Sequence, residues 1–248
     1  MERSSFPVSS AIVLGLLIGL GVLGAGYFIG QGFYSAKTRE PYVTVRGLVE
    51  RPVKADLAVW NINFTATSND VTSANSEIQR DGKLVLEFAQ SHGFGPGEIQ
   101  PTETKVTDMV TMRYREGGKP ESRYMVTGGL RVRSSNVDQV QKASQMTGEL
   151  VQKSIVLAEP EMGRANPAYF FTKLDSIRPQ MLAEATRSAR SVAQQFANDS
   201  GSHLGTIRRA NQGVFEITSR DSPNRFDEIG SIDKKVRLVT TVDYLLVK

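Results

Sequence analysis

The sequence predicts an α+β protein: an N-terminal transmembrane helix, then a domain in which an antiparallel-rich sheet is packed by helices. Three observations carry that expectation. A run without charged residues extends from Ser4 to Ala36. Behind it, residues Ala55 to Thr67 alternate with the two-residue period of a strand. Three later segments instead set their apolar residues at helical spacing. Long strands joined by hairpins favour a mixed architecture over a parallel sheet.

The charge-free run has its centre at residues 11–33, AIVLGLLIGLGVLGAGYFIGQGF. A bilayer core needs roughly 20 apolar residues at about 1.5 Å each, and backbone groups in lipid must bond within their own helix. A cleaved signal peptide would have a basic start and an apolar stretch of only about 7–15 residues. Here only Met1-Glu2-Arg3 precede a much longer run, and Gly24-Ala25-Gly26 is followed by more apolar residues. The expected organisation is therefore a tail at 1–10, a retained transmembrane anchor at 11–33, a connector at 34–41 and a domain at 42–248. Gly15 and Gly19, like Gly26 and Gly30, are four apart and share a helix face. Small-xxx-small spacing lets two membrane helices approach closely, so these glycines are candidate packing positions for self-association. Arg3 on one side and Lys37 and Arg39 on the other leave the positive-inside rule nearly silent on orientation. A tail this short can still remain inside while the long domain crosses.

Composition narrows the function classes. The chain of 248 residues has a net charge of +4, and its basic doublets, Arg208-Arg209 and Lys234-Lys235, are not gathered into a run. A nucleic-acid binder concentrates its cations on one face, so no nucleic-acid partner is expected. There is no cysteine. Disulfides, thiolate nucleophiles and Cys-ligated metals are thereby excluded, and the composition is compatible with a bacterial periplasm.

In chain order, Tyr42 to Val45 starts a β run that Gly47 interrupts and Arg51-Pro52 breaks. The strand from Ala55 to Thr67 follows, with Ala58, Trp60, Ile62, Phe64 and Ala66 on its more apolar face. A helix then starts after a cap at Asn69 or Asp70 and ends at His92-Gly93. Ile99 to Tyr114 and Tyr124 to Val132 read as strands joined by a hairpin through Glu116-Gly117-Gly118-Lys119-Pro120. Asn136 opens a second helix with Val137, Val140, Ala143, Met146 and Leu150 on one face. Ile155-Val156-Leu157 suggests a further strand, and Glu159 to Ala168 an irregular segment. The third helix, Asp175 to Ser200, has Pro179 early and presents Met181, Leu182, Ala185, Ala189, Val192 and Phe196, with Gly201 as its stop. Ile207 to Ile217 and Val236 to Val247 are the closing strands, separated by a polar loop at 218–235.

Residues able to carry chemistry are few. His92 and His203 each follow a helix end beside glycine, where a terminal polar residue is the plain reading. With two histidines and no HExxH spacing, a zinc site would have to lean on carboxylates. Ser202-His203 lacks the GxSxG elbow of a hydrolase, and no glycine pattern suits a nucleotide. No catalytic residue, cofactor or metal is therefore expected. Tyr169-Phe170-Phe171 has two readings: rings packed beneath the third helix, or an exposed interaction surface for an oligomer or ligand.

Several strings taken together resemble the SIMPL domain family (DUF541) of YggE-like bacterial proteins. Val43-Thr44-Val45-Arg46-Gly47 and Val53-Lys54-Ala55-Asp56-Leu57-Ala58 are similar to its opening strands, with Ala55 where proline is common. Gly93 with Ile99-Gln100-Pro101-Thr102 resembles the following helix end and strand. Leu182 to Arg190, with Ala193, Phe196-Ala197 and His203-Leu204-Gly205, is similar to the family's alanine-spaced helix and its exit. Val236 to Val247 resembles the closing strand, so the likeness covers roughly 42–248. It implies an exported α+β domain that often oligomerises and is associated with defence against oxidative stress, without an active-site motif. The expectation is thus a non-enzymatic, single-pass protein of the bacterial inner membrane with its C-terminal domain in the periplasm. Its expected partners are the lipid bilayer, further copies of itself and other envelope proteins. The alternative is a periplasmic module that binds a small molecule or lipid.

Overall fold

The structure, a computed structural model, describes residues 8–37, 41–111, 121–158, 166–221 and 227–247. The hairpin at 116–120, most of the irregular segment at 159–168 and the start of the N-terminal tail lie outside the described residues. Helix α1 spans Val8–Lys37, extending beyond the apolar centre on both sides. After it come β1 (Tyr42–Lys54), β2 (Leu57–Ser68), α2 (Val71–Ser91), β3 (Ile99–Pro101), β4 (Lys105–Asp108) and β5 (Tyr124–Ser134). The chain continues with α3 (Val137–Gln145), α4 (Gly148–Gln152), β6 (Ala168–Phe170), α5 (Leu174–Asp199), β7 (His203–Ser219), α6 (Asp227–Gly230) and β8 (Asp233–Val247). The fold is α+β, with two sheets packed by helices. Contacts group it into two compact units: Met1–Val45 with Arg190–Ala210 and Val242–Lys248, and Arg46–Ala189 with Asn211–Thr241.

One sheet has the order β1-β8-β7, and the other β3-β5-β2-β6 with β4 also on β5. In the second sheet every pairing is antiparallel. The alternation in β2 takes Ala58, Trp60, Ile62, Phe64 and Ala66 into a core shared with Ile78, Val85 and Phe88 of α2. Both helix starts follow from local chemistry. The Asp70 carboxylate accepts the Ser73 N–H at 2.8 Å, and the Asn136 side chain accepts the Gln139 N–H at 3.2 Å. Gly201 ends α5 with φ +67°, the left-handed conformation that glycine adopts without strain.

Five sequence expectations are corrected. Strand β1 runs unbroken through Gly47 and Pro52, because β1 is an edge strand, where a residue lacking an N–H is tolerated. The strand expected from Ile99 is two pieces. β3 pairs Ile99 with Val132 whereas β4 pairs Lys105 with Thr127, so residues 102–104 absorb a one-residue slip against β5. The second helix divides at Met146, which caps α3 and is exposed, while Leu150 of α4 remains fully buried. Ile155-Val156-Leu157 forms only an isolated bridge, Phe64 to Leu157.

The fifth correction concerns α5. Its buried row is Met181, Ala185, Ala189, Ala193 and Ala197, all 0% exposed, whereas Val192 and Phe196 are exposed. Residues four apart form one ridge of a helix, and here the ridge of small side chains is the one used. Within the larger unit, Met181 and Ala185 pack with Val236 and Leu238 of β8, flanked by Val49, Val53 and Phe215.

Candidate functional site

Ile12–Gly32 of α1 is a stretch of 21 residues with mean hydropathy 2.3, and none of it is buried within the chain. Its length, about 31 Å at 1.5 Å per residue, equals the hydrocarbon thickness of a bilayer. Leu14, Leu17, Leu20 and Ile29 are all exposed, an apolar surface far larger than water-facing helices carry. A Cβ at Gly15, Gly19, Gly26 or Gly30 would meet nothing within 4 Å. Nothing inside the chain therefore requires glycine at these positions.

The aromatic run is divided among three environments. Tyr169 lies in β6 opposite Ala58 and is 4% exposed in the main core; burial, then the nearby Asp138, pushes its phenol above the usual value. Phe170 is 40% exposed, and Phe171 packs against the Met181 cluster. The β6 strand itself is held by Asn166. Its side chain accepts the Asn61 N–H at 2.9 Å and donates to the Asn61 carbonyl at 2.7 Å. The segment that places Asn166 there gave no signal in sequence.

Two of the depressions in the larger unit flank α2. A cleft of about 420 Å³ lies between α2 and the β3–β5 ladder, lined by Ile78, Leu86 and Ile99 with Gln79, Lys83 and Gln90. At its floor Gly128 stands where a side chain would collide: a Cβ there meets Ile78 at 2.9 Å and Phe64 at 3.2 Å. The other depression, at the end of α2, is lined by His92, Asn136, Asp138, Gln139, Lys142 and Met146. There the His92 ring rests on Phe88 with centroids 4.3 Å apart. Its Nδ1 is 2.9 Å from the Phe88 carbonyl oxygen, and its Nε2 is 3.3 Å from Met146 Sδ and 3.9 Å from Glu149 Oε1. His203, at the start of β7, is exposed and distant in sequence from that cluster.

Several charges elsewhere are paired on the surface, and Lys234 is buried. Glu50 faces Lys235 at 3.3 Å and Arg237 at 3.7 Å, and Arg51 meets Glu184 at 2.7 Å. Lys234 is 3% exposed and donates to the Glu228 carbonyl; burial pulls its ammonium below the usual lysine value, against the opposing pull of Glu228. Among the described residues, no three His, Cys, Asp or Glu side chains converge as metal ligands.

An α+β domain of two sheets, carried behind one helix of membrane-spanning length, defines the class of this protein. It belongs to the SIMPL family, described as a protein of unknown function (DUF541), whose model matches residues 43–231. No curated protein matches the chain.

Proposed function

We propose that this is a non-enzymatic protein of the bacterial inner membrane, single-pass through α1, which holds its SIMPL domain in the periplasm as a homo-oligomeric assembly or interaction scaffold. The observation that carries this reading is the wholly exposed apolar surface of Ile12–Gly32 ahead of the domain. Lipid is the solvent that makes such a surface favourable. Assembly is supported by Gly15, Gly19, Gly26 and Gly30, which have open space around them and the spacing that lets helices pack closely. Exposed Phe170 offers a further contact point on the domain. A non-enzymatic role fits a cysteine-free sequence without hydrolase or zinc-protease spacing, and the family likeness supports a part in envelope defence against oxidants. Other envelope proteins are the expected partners.

The test is cross-linking of the full chain in native membranes, combined with an alkaline phosphatase fusion after residue 248. An active fusion and cross-linked dimers or larger species are expected, with the larger species lost in a Gly15→Leu/Gly19→Leu variant. Monomers alone would remove the assembly part. Release of the protein by alkaline carbonate would remove the anchor.

A second reading, a small-molecule or lipid-binding module, is favoured by the α2–β5 cleft, whose size and apolar lining suit a compact ligand. Uptake of a hydrophobic fluorophore that Leu86→Trp abolishes would support it, and uptake unchanged by that substitution would refute it.

A further inference from the structure

The cluster at the end of α2 brings a thioether sulfur and a carboxylate oxygen within 4 Å of one imidazole nitrogen. The Phe88 carbonyl can only accept, so the 2.9 Å contact with His92 Nδ1 is a hydrogen bond in the tautomer that carries its proton on Nδ1. The same carbonyl accepts the His92 backbone N–H at 3.1 Å and the Ser91 hydroxyl at 2.8 Å, which leaves Ser91 no proton for Nδ1. In the neutral ring Nε2 then carries a bare lone pair. That lone pair points at the Met146 thioether, 3.3 Å away, with the Glu149 carboxylate at 3.9 Å. Sulfur and carboxylate oxygen are acceptors too, so what joins the three is either a second ring proton on Nε2 or a metal cation in its place.

We propose that His92 and Met146, with Glu149 as third donor, bind a soft monovalent cation of the copper(I) class. The donor set selects for it: thioether sulfur is a soft ligand that suits copper(I), and imidazole accompanies it well. The spacing fits. With bond lengths like those of zinc, about 2.0 Å to nitrogen and about 2.3 Å to sulfur, two donors at a roughly tetrahedral angle on one ion stand about 3.5 Å apart. The observed separation of 3.3 Å needs an adjustment of only a few tenths of an ångström.

The surroundings preorganise the ring. Phe88, 2% exposed, supports its face, and Gln139 Nε2 donates to the His92 carbonyl at 2.7 Å, fixing the backbone beneath it. A metal-bound histidine characteristically donates its other N–H to a carbonyl, as Nδ1 does here. His92 also caps the C-terminus of a 21-residue helix, the end at which the backbone dipole favours a cation. Lys142 and Asp138 line the same depression with opposite charges. The break between α3 and α4 is what turns Met146 and Glu149 toward the ring. A half-exposed Met146 leaves the site open for an ion to enter.

The experiment is a silver(I) titration of the full chain in detergent micelles and chloride-free buffer, followed by calorimetry and by ¹⁵N shifts of the histidine rings. Silver(I) is the redox-inert probe of this class. The expected result is one site in the wild type at least tenfold tighter than in Met146→Leu, and likewise in His92→Gln. The His92 Nε2 resonance should move while Nδ1 keeps its proton, and His203 should not respond. Met146→Leu preserves volume, so its loss of binding reports the sulfur rather than the fold. Equal binding in wild type and Met146→Leu would overturn the proposal, as would a neutral His92 protonated on Nε2.

Discussion

Gly47 of β1 lies directly beneath Ala185 of α5, so that a Cβ on Gly47 would collide with the Ala185 carbonyl oxygen and stand 2.8 Å from the Ala189 amide nitrogen. Strand and helix backbones thus approach as closely as two chains can when one carries no side chain and the other only methyl groups. Ala185 and Ala189 are fully buried, in line with that approach. The two strings that meet here, Val43 to Gly47 and the alanine-spaced helix, both belong to the family likeness. Their shared feature is one contact.

Gly47→Ala should destabilise the domain by at least the ~1–3 kcal/mol of a core overpacking, because the atoms in the way are backbone and cannot swing aside. Gly97→Ala is the control: a Cβ there meets nothing within 4 Å, and a change within about 0.5 kcal/mol is expected. Urea unfolding followed by the single tryptophan, buried Trp60, measures both. Equal midpoints for the two variants would contradict the close approach.

The Gly47 contact also shows where sequence reading stops. Caps at Asp70 and Asn136 are legible because the side chain and the N–H it bonds are three residues apart. The inward face of β2 is legible because alternation is local. The buried face of α5 is not, because any apolar ranking places Val192 and Phe196 above Ala193 and Ala197. At Ala185 and Ala189 it is the closeness of the opposing strand at Gly47 that makes methyl groups the right fit. Pro52 misleads for a similar reason: whether a proline breaks a strand depends on its being at a sheet edge. In α1, the spacing of Gly15, Gly19, Gly26 and Gly30 is visible, but a packing partner for them is not a property of one segment. His92 reads as a polar helix end until tertiary structure brings Met146, 54 residues away, against its ring.

Tyr169 and Phe170 are adjacent aromatics with opposite environments, and their alanine variants should separate widely. Tyr169→Ala removes a ring from the main core and should cost about 3–5 kcal/mol, the range for deleting a buried aromatic. Phe170→Ala, on the other face of β6, should cost well under half of that. The same urea series distinguishes them. If Phe170→Ala instead abolishes membrane cross-links at unchanged stability, the exposed ring belongs to the assembly surface.

Asn166→Ala should cost about 1–3 kcal/mol, because it strands both partly buried backbone groups of Asn61 that the amide now satisfies. Hydrogen exchange gives a sharper measure than global stability. The Asn61 amide should exchange faster in the variant while the Trp60–Val132 pairing of β2 with β5 keeps its protection. Unchanged exchange at Asn61 would mean that the amide contributes nothing to holding that edge.

Asp70 sets part of the acid sensitivity. Hydrogen bonds from the Ser73 amide, then from the Ser73 hydroxyl, hold its carboxyl below the usual 3.8. A group whose folded value is depressed stabilises the fold above its unfolded value, and that contribution is lost as pH falls through the folded one. Asp108, bonded first by the Val110 amide and then by Arg123, and Asp221, bonded by Arg220, shift in the same direction. The acid limb should therefore descend below about pH 3.8, with Asp70 contributing one share of it. Asn at this position keeps the capping geometry without titrating. The stability gap between wild type and Asp70→Asn should be constant above pH 5 and shrink toward pH 3, read as urea midpoints across that range. A gap of the same size at pH 3 and pH 6 would show that the cap's charge state has no bearing on folding.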